Sequence, residues 1–204
     1  MQPLDLFKSA FDRFIRIRPD LAESHSRWLH EQATDCPVIA VHYRLQSSHK
    51  VQESAEKRYV EIGEYFGAID SLIARESAAR IFLLTDYEPA VDAFRRRYAS
   101  RVFCYDAARL TKDSVAEVQL GLTSPSGNHH LAQEVVRDIG TAALCQYFVL
   151  DGSSNVSVAI YCLAPAAEGR TTWLRAPAFG TIWTGERILP RIARPEPVHL
   201  ISVL

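Results

Sequence analysis

The stretch Pro37-Val38-Ile39-Ala40-Val41-His42 decides the fold. It is short, apolar and rich in β-branched residues, and apolar and polar positions do not alternate along it. A strand that is buried on both faces of a parallel sheet has this composition, whereas a strand with one solvated face alternates. Three further runs have the same character, at 81–85, 101–105 and 147–150. The sequence therefore predicts four strands of one mostly parallel sheet.

Helical stretches lie between these strands, at 58–77, 88–99 and 129–146, and an apolar helix is predicted at about 156–163. Residues 121–128 are rich in Gly, Ser and Asn and predict a loop. Strands that alternate with helices of these lengths indicate βαβ units with right-handed crossovers. We therefore expect an α/β fold, Rossmann-like, with three α/β/α layers around a mostly parallel sheet.

The predicted organisation has three parts. Residues 1–36 are expected to form a helical segment that packs on the domain, and 37–165 the Rossmann-like domain itself. The remainder, 166–204, is expected to be an irregular tail with one or two short strands. Five of the ten prolines lie from 165 onward, two of them in an Arg-Pro-Glu-Pro segment at 194–197. These features favour a strap across the surface over another βαβ unit.

Charge and hydropathy exclude several classes of protein. Lys and Arg number 23 against 24 Asp and Glu, for a net charge of −1. This balance removes the electrostatic argument for a nucleic-acid or membrane-surface binder. No stretch approaches the roughly 20 apolar residues that a transmembrane helix needs. Charged residues interrupt the N-terminal region where a signal peptide would be apolar, so we expect a cytoplasmic location.

The cysteines and histidines do not indicate a metal site. The four cysteines lie far apart, without a CxxC pair, which argues against both a zinc site and a disulfide framework. His129 and His130 follow the predicted loop without a partner at ligand spacing, so they are interpreted as helix-start residues. Neither a metal nor another cofactor is expected.

Polar side chains follow three of the predicted strands, at the edge where ligands bind in an open α/β sheet. His42 and Arg44 follow the first strand, with Lys50 and Glu53 in the loop after it. Asp86 follows the second strand, and Ser153, Ser154 and Asn155 follow the fourth, directly before a helix. An arginine and a helix N-terminus both favour a phosphate group. Alternatives remain: Ser154 as a plain N-cap, Arg44 paired with a surface carboxylate, His42 as a core imidazole and Asp86 as a helix cap.

Three motifs in order carry a family resemblance. Residues 37–44 followed by Lys50 resemble the first signature of the α1,6- and protein O-fucosyltransferase superfamily, and Phe-Leu-Leu-Thr-Asp at 82–86 resembles the second. Asp138 followed by Ser154 within Gly-Ser-Ser-Asn-Val-Ser is similar to the third. The order and approximate spacing agree over about residues 15–165.

The resemblance implies the C-terminal half of a GT-B glycosyltransferase, which holds GDP-fucose or a related GDP-sugar without a metal. Arg44 would contact the β-phosphate and assist the leaving group, and His42 would lie beside the guanine or ribose. Asp138 would accept from the guanine N–H groups, although an exposed Asp on a solvated helix face is the plainer interpretation. By the same resemblance, Ser153, Ser154 and Asn155 would hold the diphosphate, with Asp86 near the donor.

Departures from the family pattern leave alternatives open. Leu45 replaces a second basic residue, Lys50 follows what looks like a short insertion, and the catalytic base could be Glu53 or Glu56. Only about 35 residues precede the first strand, too few for an acceptor domain. The chain is therefore expected to be a fragment of a larger enzyme, or to work with a separate acceptor-domain chain or as a homo-oligomer. A non-catalytic nucleotide-binding module and a partner-binding protein are the alternatives.

Overall fold

The computed structural model describes residues 3–44, 60–107, 109–111 and 125–177, apart from the side chains of 3 and 125–129. The helices are α1 (Pro3–Phe14), α2 (Pro19–Gln32), α3 (Ile62–Ile73), α4 (Glu88–Tyr98), α5 (Pro125–Ala142) and α6 (Asn155–Leu163). The strands are β1 (Val38–His42), β2 (Arg80–Leu84), β3 (Val102–Phe103), β4 (Tyr147–Asp151) and β5 (Thr171–Arg175).

These strands form one sheet in the order β3-β2-β1-β4-β5, and every neighbouring pair is parallel. The central strand β1 is buried at all five positions, as its uninterrupted apolar run predicts. Val41 of β1 pairs with Leu83 of β2 on one side and Val149 of β4 on the other. From β1 the chain first adds β2 and β3 on one side and then β4 and β5 on the other. The strand order therefore reverses between β1 and β4. The predicted α/β class with a parallel sheet is confirmed.

The two faces of the sheet bury separate apolar clusters, which makes the fold three-layered. Val38 and Ala40 pack in one cluster with residues of α2, α5 and α6. Ile39 and Val41 pack in the other with residues of α3 and α4. Successive side chains of a strand point to opposite faces, so β1 supplies both clusters and cannot alternate with polar residues.

The short strand in the described residues after 165 belongs to another βαβ unit, which the sequence analysis does not favour. Residues Thr171–Arg175 form β5, which pairs in parallel with β4 after the crossover helix α6, so this segment is a further βαβ unit. All five β5 positions are only half-buried, as expected at a sheet edge. The strand consequently lacks the continuous apolar run that reveals β1. The Arg-Pro-Glu-Pro segment lies outside the described residues.

Several helix and strand limits also differ from the prediction. The helix α5 begins at Pro125, inside the predicted loop 121–128, because proline is well suited to the first turn of a helix. The helix α3 begins only at Ile62, after a capping box formed by Glu61 and Glu64. The third strand has two residues, Val102–Phe103, instead of five.

The first helix, α1, contacts the end of α6. Lys8 of α1 donates hydrogen bonds to the carbonyl oxygens of Cys162 and Ala164, each at 3.2 Å, at the C-terminal end of α6. A cation satisfies these terminal carbonyls and favours the negative end of the helix dipole. None of the helices in the described part of the chain is long and apolar enough to cross a bilayer.

Candidate functional site

A pocket of about 200 Å³ lies at the carboxyl ends of β1 and β2, against α5 and the first turn of α6. Four residues singled out in the sequence line it: His42, Arg44, Asp86 and Asp138. The other lining residues are Leu84, Thr85, Ala107, Leu131, Glu134, Val135 and Val156. The structure therefore brings together side chains that are almost a hundred positions apart, on one apolar-walled pocket.

Arg44 and Asp86 meet because their strands are in register. His42 pairs with Leu84 across β1 and β2, so the residues two positions further on emerge side by side. The Arg44 Nε lies 3.6 Å from the Asp86 Oδ2, and both side chains are about half exposed, at 52% and 43%. Arg44 is thus paired with a carboxylate, as one interpretation holds, and it also lines the pocket. An exposed pair of this length is weak, which leaves the guanidinium accessible to a stronger anion.

Asp138 projects from α5 into the pocket instead of lying on a solvated face. Its side chain is 24% exposed, and burial raises the pKa of its carboxyl to about 6. The positive charges of Arg137 and Arg109 oppose this rise, while the negative charge of Glu134 adds to it. The carboxylate is nonetheless mostly ionised at neutral pH. It can accept two hydrogen bonds from a neighbouring pair of donors.

His42 is buried at the end of β1 and is held by hydrogen bonds. Its Nδ1 lies 2.8 Å from the Ser157 Oγ of α6, and its carbonyl oxygen accepts from the Tyr65 hydroxyl at 3.2 Å. Burial, aided by the nearby positive charge of Arg44, lowers the pKa of the imidazole to about 4. His42 therefore lines the pocket as a neutral ring, which can donate or accept one hydrogen bond but carries no charge for an anion.

The N-terminus of α6 holds an unusual serine. Ser154 has the extended backbone of an N-cap, yet its side chain makes no cap hydrogen bond. Its Oγ is buried and has no hydrogen-bond partner within the described parts of the chain. The Ser154 side chain therefore does not cap α6 by a hydrogen bond, and Ser154 does not line the pocket. Asn155 is exposed beside it, and Val156, one residue further, lines the pocket.

Ser153 is engaged in a cluster that the sequence analysis missed. Its hydroxyl donates to the Asp151 Oδ2 at 2.9 Å and accepts from the Arg175 Nη2 at 3.0 Å. Arg175 also forms an ion pair with Asp151. Burial opposes ionisation of Asp151, but the hydrogen bonds from Arg175 and Ser153 outweigh it and lower the pKa of the carboxyl. This cluster ties the end of β5 to the turn after β4.

Asp151 extends β4 by one residue beyond the predicted strand 147–150. Arg175 lies in the part of the sequence that was expected to be an irregular tail, so nothing indicated that it reaches this edge. Glu134, Arg137 and Tyr105 were missed for a related reason, because their places depend on how α5 packs. Their contacts, described below, surround Asp138.

Three predicted site residues lie outside the described residues: Lys50, Glu53 and Glu56. The choice of catalytic base between the two glutamates therefore stays a prediction. Within the described residues there is no group of three or more His, Cys, Asp or Glu side chains that could hold a metal ion.

No family model and no curated protein sequence matches this chain. Solved structures do. A crystal structure of selenomethionine-labelled fucosyltransferase NodZ from Bradyrhizobium is 14% identical, with a TM-score of 0.45, over 76% of this chain and 43% of that one. The matched region is the C-terminal part of that protein.

Two further NodZ structures match in the same way. The α-1,6-fucosyltransferase NodZ co-crystallized with GDP is 14% identical, with a TM-score of 0.41, over 74% of this chain and 43% of that one. The crystal soaked with GDP-fucose is 15% identical, with a TM-score of 0.40, over 74% of this chain and 44% of that one. This chain thus spans less than half the length of the structures that it matches.

Proposed function

We propose that the pocket binds a nucleotide sugar, GDP-fucose or a related GDP-sugar, and that the chain is the donor-binding half of a fucosyltransferase-like enzyme. The observation that carries the proposal is the convergence of Arg44, His42 and Asp138 on one pocket beside the N-terminus of α6. These groups differ in charge and hydrogen-bonding capacity, and each suits a different part of such a ligand.

The carboxylate of Asp138 suits the guanine ring of the nucleotide. Guanine presents two adjacent N–H donors on one edge, and an ionised carboxylate with two acceptor oxygens matches that pair. Adenine and uracil do not offer two adjacent donors, so they would leave a buried carboxylate oxygen without a partner. A buried unpaired acceptor costs roughly 1–3 kcal/mol, and more when it is charged. Asp138 should therefore select guanine over the other bases.

Arg44 and the start of α6 suit the diphosphate. A guanidinium donates to phosphate oxygens in a planar, two-pronged geometry, and free N–H groups at a helix N-terminus favour an anion. Ser153, Ser154 and Asn155 lie at the same end of α6 but do not line the pocket, so their contact with the diphosphate stays a prediction. The neutral imidazole of His42 adds a hydrogen bond without opposing these charges.

The pocket is smaller than the roughly 300–1,000 Å³ of a site that encloses a whole drug-sized ligand. At about 200 Å³ it has room for one part of a nucleotide sugar, with the rest extending along the carboxyl edge of the sheet. Transfer would be inverting, with charge on the departing GDP stabilised by Arg44 and the helix N-terminus. Glu53 or Glu56 would take the proton of the acceptor hydroxyl, and the acceptor site would come from a further domain of a longer chain, from a separate chain or from a second copy.

The direct test is calorimetric titration of the purified chain with GDP, with GMP, ADP and UDP as comparisons. We expect GDP to bind more tightly than all three, and Arg44→Ala to weaken GDP binding by about tenfold or more, since charged hydrogen bonds contribute about 1.5–3 kcal/mol. Arg44→Lys should recover only part of the loss. The same change at exposed Arg96 on α4, Arg96→Ala, is the matched control.

Each outcome of the titration tests a different part of the proposal. Equal affinities for GDP, ADP and UDP would contradict the role of Asp138, and full affinity in Arg44→Ala would contradict that of Arg44. The absence of binding by any nucleotide would overturn the proposal for this chain. Selective GDP binding without release of fucose or transfer to any acceptor, even with a candidate partner chain present, would establish a nucleotide-binding module instead of an enzyme.

A further inference from the structure

An aromatic stack on the far side of Asp138 has no part in the function proposed so far. The ring of Tyr105, two residues after β3, lies 3.6 Å from the ring of Trp28 on α2, with an interplanar angle of 19°. The guanidinium carbon of Arg137 lies 3.9 Å from the same Tyr105 ring centre. Two groups this close to one ring centre cannot share a face, so Tyr105 is sandwiched between Trp28 and Arg137.

Contacts of its hydroxyl and its backbone also fix Tyr105, so its ring is a rigid surface for Arg137. Its hydroxyl lies 2.9 Å from the Oγ1 of Thr141, a fully buried residue one helical turn beyond Arg137 on α5. Its carbonyl oxygen accepts from Arg109, whose side chain is only 9% exposed. A guanidinium that stacks on a fixed ring loses little further freedom when it forms a hydrogen bond.

Arg137 contacts the site residue directly. Its Nη2 and Nε lie 3.3 and 3.4 Å from the Oδ1 of Asp138. Consecutive residues of a helix point about 100° apart, so their side chains do not ordinarily meet. The contact arises because Tyr105 holds the guanidinium back along α5 toward its neighbour. Both donors reach the same carboxylate oxygen, which leaves Oδ2 without a bond to Arg137.

We propose that Arg137, clamped on Tyr105, is a positioning residue that fixes the orientation of the Asp138 carboxylate and thereby sets the preference of the pocket for guanine. This inference rests on the proposed function, because it assigns a purpose to the orientation of Asp138. A carboxylate that rotates freely meets two fixed N–H donors at an entropic cost, whereas a preoriented carboxylate avoids most of it. Arg137 itself is not placed on the ligand.

Other charged groups around Asp138 act in both directions. The groups that face it or Arg137 are Glu134 on α5, Arg109 beyond β3, His25 on α2, and His42, Arg44 and Asp86 across the pocket. Arg109 supports the ionised carboxylate and Glu134 opposes it. Loss of Arg137 would remove the nearest positive charge as well as the positioning contact, so the test must separate the two effects.

The experiment uses Arg137→Gln and Arg137→Lys in the complete chain. In the ligand-free protein, carbon-13 NMR titration of the Asp138 carboxyl should give a pKa that rises by about one pH unit in Arg137→Gln and less in Arg137→Lys. Calorimetry at pH 8, where Asp138 is largely ionised in every variant, then reports orientation alone. There we expect GDP affinity to fall by about tenfold in Arg137→Gln, with affinity for inorganic pyrophosphate unchanged.

Two further variants keep the outcome interpretable. Tyr105→Leu removes the ring but keeps Arg137, so it should reproduce the loss of GDP affinity at pH 8 without the loss of a charge. Arg96→Gln is the matched change on an exposed surface and should alter neither quantity. Unchanged GDP affinity at pH 8 in both Arg137→Gln and Tyr105→Leu would overturn the positioning role.

The carboxyl titration separates this inference from the proposed function. If the unaltered chain fails to bind GDP, the nucleotide site fails, and with it the purpose assigned to Arg137. A higher Asp138 pKa in Arg137→Gln would then still establish the ion pair itself. If GDP binds selectively but the titration and the affinities are the same in all variants, the function stands and the role of Arg137 does not.

Discussion

At the residue scale, the carboxyl group of Asp138 is placed where ionisation opposes folding. Burial raises its pKa to about 6, from 3.8 for an unperturbed carboxyl. The native state therefore keeps a proton that the unfolded state releases between these two values. The contribution of the Asp138 carboxyl to the free energy of unfolding is therefore greatest below pH 4. It falls between pH 4 and pH 6 and is constant above pH 6. A guanine base, if bound as proposed, would favour the ionised form and so offset this cost in stability.

We predict that Asp138→Asn stabilises the protein by about 1–2 kcal/mol at pH 7.5, because it removes the buried charge. The advantage should shrink as the pH falls from 6 toward 4. Denaturant unfolding at several pH values measures it, and calorimetry should show that the preference for GDP over ADP is lost. Asp92→Asn, on the exposed surface of α4, is the control and should change neither. A variant that is less stable at every pH would contradict the cost assigned to the carboxylate.

Residue by residue, sequence reasoning found the parts of the site that strand ends determine. Arg44 and Asp86 could be placed together because both follow apolar runs, and parallel register brings such positions to one edge. Asp138 was indicated only by the family resemblance, since helical periodicity alone favoured a solvated face. Arg137 and Tyr105 could not be found, because their contact depends on how α5 packs against the loop after β3.

At the scale of elements, the turn between β4 and α6 is fixed by close backbone packing. A Cβ on Gly152 would lie 2.4 Å from the backbone nitrogen of Pro177 and 2.5 Å from the carbonyl oxygen of Arg175. The Gly152 N–H also donates to that carbonyl at 3.1 Å. Only glycine at this position lets the chain after β5 come so close. This packing fixes the direction in which α6 begins.

We therefore predict that Gly152→Ala destabilises the protein by about 1–3 kcal/mol, because backbone atoms must move apart. Gly67→Ala is a matched control with the opposite sign. Gly67 lies within α3 with open space around it, so alanine there should stabilise by about 0.5–1 kcal/mol. Denaturant unfolding of both variants measures the two effects. Equal stability in the two variants would mean that the turn is not held as described.

The same elements show where sequence patterns stop being informative. β1, β2 and β4 are buried on both faces, so their apolar runs predicted them nearly to the residue. β5 is a half-buried edge strand whose sequence, Thr-Thr-Trp-Leu-Arg, is compatible with a surface loop. Its place became evident only from pairing with β4, which is a long-range interaction. An edge strand that is only half-buried does not need apolar residues on both faces, so its sequence lacks the continuous apolar run.

At the scale of the whole molecule, the two apolar clusters share one sheet and should unfold together. Strand β1 contributes alternate side chains to both clusters, so neither layer of helices can leave without exposing the other side of the same strands. Cys145 is buried in the cluster with residues of α2, α5 and α6, and Cys162 is buried on α6 near α1, whereas Cys36 and Cys104 are half-buried. These thiols offer a direct measurement of cooperativity.

We predict that Cys145 and Cys162 react with a thiol reagent at one common rate, set by global unfolding. Burial raises the pKa of the Cys145 thiol and raises that of Cys162 to about 11, so neither is a reactive thiolate in the native state. The measurement is mass-spectrometric labelling of a variant with Cys36→Ser and Cys104→Ser, over a range of denaturant concentrations. Labelling of both sites should follow the same dependence as unfolding observed by circular dichroism. Faster labelling of Cys162 would contradict a single cooperative transition and would show that the packing around α6 opens before the rest of the fold.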